Sequence, residues 1–243
     1  MRLPFQGSIE RRRVRLALSP QDRARLTTLR LRAKQRARED RSTVAGLLSL
    51  ARFVAMDLET TGPNMMRDRI ISIGAVAVVE RSVRHDDAFE VVVRQASESR
   101  ADNILIHQIG GQEQRAGVES TDALLSFLEF LDGSIAVAFR SEFDSTVLGR
   151  ELQDSLGIRA GPRFLDLASM LPALFPNTPN DSLDDWARYF GLPPIGRHHA
   201  IADAYANAQL LLLALEKAQR LHLATTTNLF ALDKSQRWLG LRR

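Results

Sequence analysis

Three strand-like runs follow one another with too little chain between them for crossovers. They are "FVAMDLE" (Phe53–Glu59), "RIISIGAVAVVE" (Arg69–Glu80) and "AFEVVVR" (Ala88–Arg94). Parallel neighbours need a connection of a dozen or more residues, so this spacing predicts an antiparallel meander. Downstream the apolar period lengthens. "STDALLSFLEFLDG" reads as a helix ending at Gly133, "SIAVAF" as a short strand, and the run from about Ser141 to Gly157 as a helix burying Phe143, Val147, Leu148 and Leu152. "RFLDLASMLPALF" supplies a strand and a helix, "DSLDDWARYFGL" a short helix and "ADAYANAQLLLLALEKAQR" a long one. The expected class is α/β: a mixed sheet flanked by helices. Leu221–Arg243 receives no assignment, and no internal repeat is visible.

At 243 residues the chain is long enough for one enzyme-sized domain with appendages. The expected division is a basic N-terminal extension at 1–50, a main domain at 51–220 and a tail at 221–243. Charge marks the first boundary: through Arg41 there are 13 Arg or Lys against 4 Asp or Glu, and the remainder has 20 against 25. Met1–Arg15 reads as irregular. "SPQDRARLTTLRLRAKQRARED" predicts a basic helix capped by Ser19, with Pro20 and Asp22 in its first turn and a stripe of Leu26, Leu29, Ala33 and Ala37. Such an arm suits nucleic acid, an acidic protein partner or self-association. Ser42–Leu50, with Val44, Leu47, Leu48 and Leu50, is expected to be a packed connection. Cysteine is absent, which excludes disulfides, thiolate catalysis and cysteine-held metals. No apolar run approaches the roughly 18 residues of a membrane span, so the expectation is a soluble, cytoplasmic protein with no membrane partner.

Two acids close the first strand. Alternation sends Asp57 and Glu59 to one face near the strand end, where their repulsion calls for a cation, a proton or a turn towards solvent. Asp144 falls at the start of the helix leaving the fourth strand. Asp203 falls near the N-terminus of the long helix, where unpaired N–H groups favour a carboxylate. Four carboxylates are an apt inventory for two hard divalent cations.

These residues occur in blocks that resemble the DEDD superfamily of 3'-to-5' exonucleases, in the histidine-containing branch that includes the proofreading epsilon subunit of bacterial DNA polymerase. "DLETTG" carries Asp57, Glu59, Thr60 and Gly62; "FD" carries Asp144; "HHAIAD" carries His198 five residues before Asp203. The likeness runs from about Arg52 to Gln219. It implies a ribonuclease H-like, five-stranded mixed sheet and a site of Asp57, Glu59, Asp144 and Asp203 holding two Mg2+ or Mn2+ ions. His198, rather than His199, is implied as the general base. The implied reaction removes nucleoside 5'-monophosphates from single-stranded DNA or RNA 3' ends.

The resemblance further suggests substrate-positioning roles for Thr60, Thr61, His107, Phe139 and Arg140. Where the family commonly has Gly-His-Asn, this chain has Ala138, Phe139 and Arg140; Arg140 is read as a solvated residue or a phosphate contact. Asp166 reads as a helix cap. Phe53, Phe143, Trp186 and Phe190 read as core. Gly110 and Gly111 lack the pattern of a phosphate loop. The rival reading is a non-catalytic nucleic-acid-binding or assembly module that retains the fold.

Overall fold

The computed structural model describes residues 13–14, 16–39, 46–178, 181–193 and 198–240. In chain order the elements are α1 (Pro20–Glu39), β1 (Phe53–Thr60), β2 (Ile70–Val79), β3 (Ser82–Val92), α2 (Ala101–His107), α3 (Gly111–Ala116), α4 (Ser120–Leu131), β4 (Ile135–Ala138), α5 (Glu142–Leu156), β5 (Phe164–Asp166), α6 (Leu167–Leu174), α7 (Leu183–Tyr189), α8 (Ala200–Arg220) and α9 (Thr226–Gly240).

The sheet has five strands in the order β3-β2-β1-β4-β5. β1 pairs antiparallel with β2 and parallel with β4, and β5 joins β4 in parallel. This is the expected ribonuclease H-like mixed sheet, with the meander on one side and helical crossovers on the other. Successive β1 residues divide between two cores. Phe53 and Ala55 join the layer that includes Leu210, Leu211 and Ala214 of α8, whereas Val54, Met56 and Leu58 join Leu124 of α4 and Leu148 of α5. By the same alternation Asp57 and Glu59 emerge on the α8 side.

The third strand begins at Ser82, well before the expected Ala88. Its first half is polar and largely exposed, so it lacks the apolar alternation that marks a strand. The β2–β3 hairpin turns through Glu80 and Arg81, both left-handed at φ 49° and 60°, as tight hairpins require but without the usual Asn-Gly signal. Helices α2 and α3 were not foreseen either.

The terminal helices α1 and α9 pack on this body. α1 begins as expected, with the Asp22 N–H donating to Ser19 Oγ at 3.1 Å. Its buried residues are Leu26 and Leu29, joined by Leu18. Ala33 is exposed, a correction to the predicted stripe, and the side chain of Ala37 is outside the described set. Arg25 donates to Glu129, Asp122 and Ser126 on α4, and Arg36 to Asp132. Arg13 and Val14 are helical, against the irregular course expected for 1–15, whose other residues are not described; nor is Val44. Leu48 is buried, as expected of a packed connection, while Leu50 is exposed.

The described part of the unassigned C-terminal segment contains the helix α9. Thr225 and Asn228 cap it reciprocally, Thr225 N–H to Asn228 Oδ1 at 3.1 Å and Asn228 N–H to Thr225 Oγ1 at 3.2 Å. α9 packs on α6 and β5. The two connections meet in an antiparallel bridge between Leu47 and Thr225. Among the described residues, no helix is long and apolar enough to cross a membrane.

Candidate active site

The site forms where β1 runs out and α8 begins. Two features bring α8 onto the strand. Gly74 of β2, paired with Asp57, leaves room for the backbone of Ala200 and Ile201. One turn after Asp203, the buried Asn207 side-chain amide donates to the Met56 carbonyl at 3.0 Å. Asp203 is thereby buried beside the β1 acids: Asp57, Glu59 and Asp203 each offer a carboxylate oxygen, and these oxygens lie within 4.8 Å of one another.

Asp144 stands next to this trio without belonging to it. It lies in the first turn of α5 and is buried. Its carboxyl is pushed up to about 7, chiefly by burial, with the nearby Asp166 adding repulsion. The backbone amides of Asp144 itself and of Leu58 oppose that shift. The Leu58 amide lies between Asp57 and Glu59 in sequence, so its influence puts the Asp144 carboxyl near the same strand end. Gathered carboxylates, two of them buried, fit a hard divalent cation: oxygen donors are what it prefers, and its charge offsets both repulsion and desolvation.

His198 and His199 diverge. His198 is exposed and left-handed at φ 61°, and its N–H donates to Asp203 Oδ2 at 3.2 Å. His199 Nδ1 lies 3.3 Å from Glu90 Oε1 on β3, so this ring is directed at the edge strand.

The residues suggested for substrate positioning are placed differently from one another. His107 is corrected: it is 1% exposed, its Nδ1 accepts from the Ile109 N–H at 3.0 Å, and its Nε2 lies 3.3 Å from Ser99 Oγ. Burial pulls its pKa down, and the ring serves the α2–α3 junction. The hydroxyls of Thr60 and Thr61 are also engaged, donating to Gly62 O at 2.7 Å and to Asp68 Oδ1 at 3.2 Å within the turn after β1. Phe139 is half-buried against the core. Arg140 is exposed, and its guanidinium donates to the Asp181 carbonyl at 2.9 Å.

Asp166 is the helix cap expected from sequence, accepting from Ala168 N–H at 2.9 Å. It also accepts from Arg140 N–H at 2.8 Å, which pins the β4–α5 turn. Of the four aromatic core candidates, Phe53 and Trp186 are fully buried, and Phe143 and Phe190 partly so. Sequence reasoning missed Asn207, whose only signal was an amide on the apolar face of the long helix, four residues after Asp203.

Comparison with known proteins bears on this arrangement. Residues 54–211 match the family described as exonuclease, RNase_T. A PolC-type DNA polymerase III of Caldanaerobacter subterraneus is 28% identical over 180 residues, 73% of this chain and 12% of that protein. The 3'-5' exonuclease DinG of Staphylococcus aureus is 26% identical over 201 residues, 79% of this chain and 21% of that protein. The chain thus spans only a minor part of these relatives. Among solved structures, E. coli exonuclease I in complex with a dT13 oligonucleotide superposes with a TM-score of 0.61 at 19% identity, covering 71% of this chain and 42% of that one. Exonuclease X in complex with 5' overhanging duplex DNA gives 0.59 at 19% identity, covering 76% and 99%.

Proposed function

The chain belongs to the exonuclease family, and from that membership we propose that it is a metal-dependent 3'-to-5' exonuclease acting on single-stranded DNA or RNA ends. The observation that carries the proposal is the convergence of Asp57, Glu59 and Asp203 within 4.8 Å, with the buried Asp144 near the same strand end. The catalytic unit of this reading is 51–220, flanked by an extension at 1–50 and a tail at 221–243 whose helices α1 and α9 dock upon it. Its proposed setting is the cytoplasm, and α1 is a candidate surface for nucleic acid, a protein partner or self-association.

Two Mg2+ or Mn2+ ions held by these four acids would supply Lewis-acid polarisation of the terminal phosphate and a more acidic water. The protein's own groups do the rest. The carboxylates gather and orient; the Asn207 bond to Met56 and the small Gly74 hold α8 at the distance that lets Asp203 take part. His198, exposed at the rim, takes the proton from the attacking water, a role for which an imidazole suits neutral pH. The new bond joins the water oxygen to phosphorus. The bond to the 3'-oxygen breaks, leaving a nucleoside 5'-monophosphate and a shortened strand with a 3'-hydroxyl. The pairing of Asp203 Oδ2 with the His198 N–H supports this assignment, because it links Asp203 of the trio to the residue that bears the base.

The test is shortening of 5'-labelled single-stranded DNA and RNA, with open and blocked 3' ends, in Mg2+, Mn2+ or chelator. The wild type should shorten open ends only and only with metal, and D57A, with fold retained, should be nearly inert. Tight binding without any cleavage by the wild type would favour the binding-module reading. Undiminished cleavage by D57A would remove Asp57 from the site.

A further inference from the structure

The turn that delivers Asp144 needs external support. Arg140 adopts a left-handed backbone at φ 58°, which a residue with a side chain occupies only when its surroundings hold it there. Ser141, the N-cap residue of α5, is fully buried, yet its hydroxyl makes no capping bond to the helix. It accepts instead from Arg237 Nη2 on α9 at 2.9 Å.

We infer that Arg237 is a positioning residue for Asp144, acting through Ser141 and Asp166 on the first turn of α5. The guanidinium is anchored by its Nε donating to Asp233 Oδ1 at 2.9 Å, and Asp233 in turn accepts from the Ser169 hydroxyl. Its Nη2 reaches Ser141 and also lies 3.8 Å from Asp166 Oδ2. The other Asp166 oxygen holds the Arg140 N–H at 2.8 Å. Arg237 therefore grips the β4–α5 turn twice, once at the cap hydroxyl and once through the carboxylate that clamps the backbone. A cation there also offsets the negative charge that Asp166 would otherwise set beside Asp144. Arg237 lies beyond residues 54–211, so a segment outside the family match supports an acid inside it.

The inference rests on the exonuclease reading, and two measurements separate their fates. The first is amide hydrogen exchange in chelator, comparing wild type, R237A, R237K and S141A in full-length protein. R237A should speed exchange at 139–144 at least tenfold relative to β1, with R237K restoring part of the protection and S141A giving an intermediate effect. The second is single-turnover cleavage, in which R237A should slow the step tenfold or more while oligonucleotide affinity changes less than twofold. Wild-type exchange rates at 139–144 in R237A and S141A would overturn the inference. So would a loss confined to affinity. If R237A fails to fold, S141A and R237K carry the exchange test. If the wild type cleaves nothing, the exonuclease reading falls and the exchange comparison still decides the case for Arg237.

Discussion

Gly74 stands opposite Asp57 in the β1–β2 ladder, and a β-carbon on it would lie 2.1 Å from the carbonyl carbon of Ala200. Only hydrogen fits there, so helix and strand approach as closely as their backbones allow. In G74A the start of α8 must lift, carrying Asp203 away from Asp57 and Glu59. Overpacking of this kind costs about 1–3 kcal/mol. We expect a lower melting temperature and weaker Mn2+ binding by titration calorimetry. G149A is the control: that glycine lies within α5 with nothing inside 4 Å of its added carbon, and it should be neutral or stabilising. Unchanged Mn2+ affinity in G74A would refute the spacing argument.

The adjacent histidines should separate in single-turnover assays at saturating metal. H198A should lose roughly two or more powers of ten in the chemical step, the size of general-base catalysis. H199A should lose little, because its ring lies 3.3 Å from Glu90 on β3. The reverse ranking would reassign the base.

Asp144 predicts a pH dependence of the metal-free fold. Its carboxyl is raised to about 7 in the folded chain, against about 3.9 when unfolded. Between those values the folded chain binds the proton and the unfolded chain does not, so this group's contribution to stability falls as pH rises from about 4 to about 7. Glu151 and Asp166 are shifted the same way by burial, so the readout is a difference between proteins. In chelator, D144N should melt higher than wild type at pH 8, and the gap should narrow towards pH 5. Adding Mn2+ at pH 8 should raise the wild-type melting temperature more than that of D144N. Parallel melting curves across the whole range would count against the assignment.

The basic helix should divide into structural and binding charges. Arg25 and Arg36 face acids of the α4 region, and losing either should lower stability by about 1 kcal/mol or less, as partly exposed ion pairs do. Arg23, Lys34 and Arg38 are exposed. Their joint replacement by Ala should weaken binding to a long polymer and flatten its salt dependence, with little effect on cleavage of a short oligonucleotide. Equal salt slopes before and after replacement would point α1 towards a protein or structural role.

The strands and helices that were legible in the sequence are those whose burial repeats locally: β1 and β2 with their apolar runs, α5 and α8 with their helical stripes. The acids were legible because alternation puts Asp57 and Glu59 on one face, and Asp144 and Asp203 sit at helix starts. What escaped depends on partners far away in the chain. The polar first half of β3 is a strand because β2 pairs with it, and α9 is a helix behind an inconspicuous Thr225–Asn228 cap. Asn207 has meaning only beside the Met56 carbonyl, and Arg237 only beside Ser141. His107, suggested from sequence for substrate positioning, is a buried ring bonded within the α2–α3 junction.

The trio of acids is drawn from the first strand of the sheet and from α8, the third helix after the last strand. On a ribosome, Asp57 and Glu59 emerge early, and Asp203 only after every strand has been made. A chain interrupted before α8 therefore lacks a member of the trio, whatever else of the sheet has formed. On the proposed function, prematurely terminated products are for this reason expected not to cleave nucleic acid, and cleavage becomes possible only once α8 has been made. A purified fragment ending at residue 193 that still cleaved with metal would contradict this built-in delay.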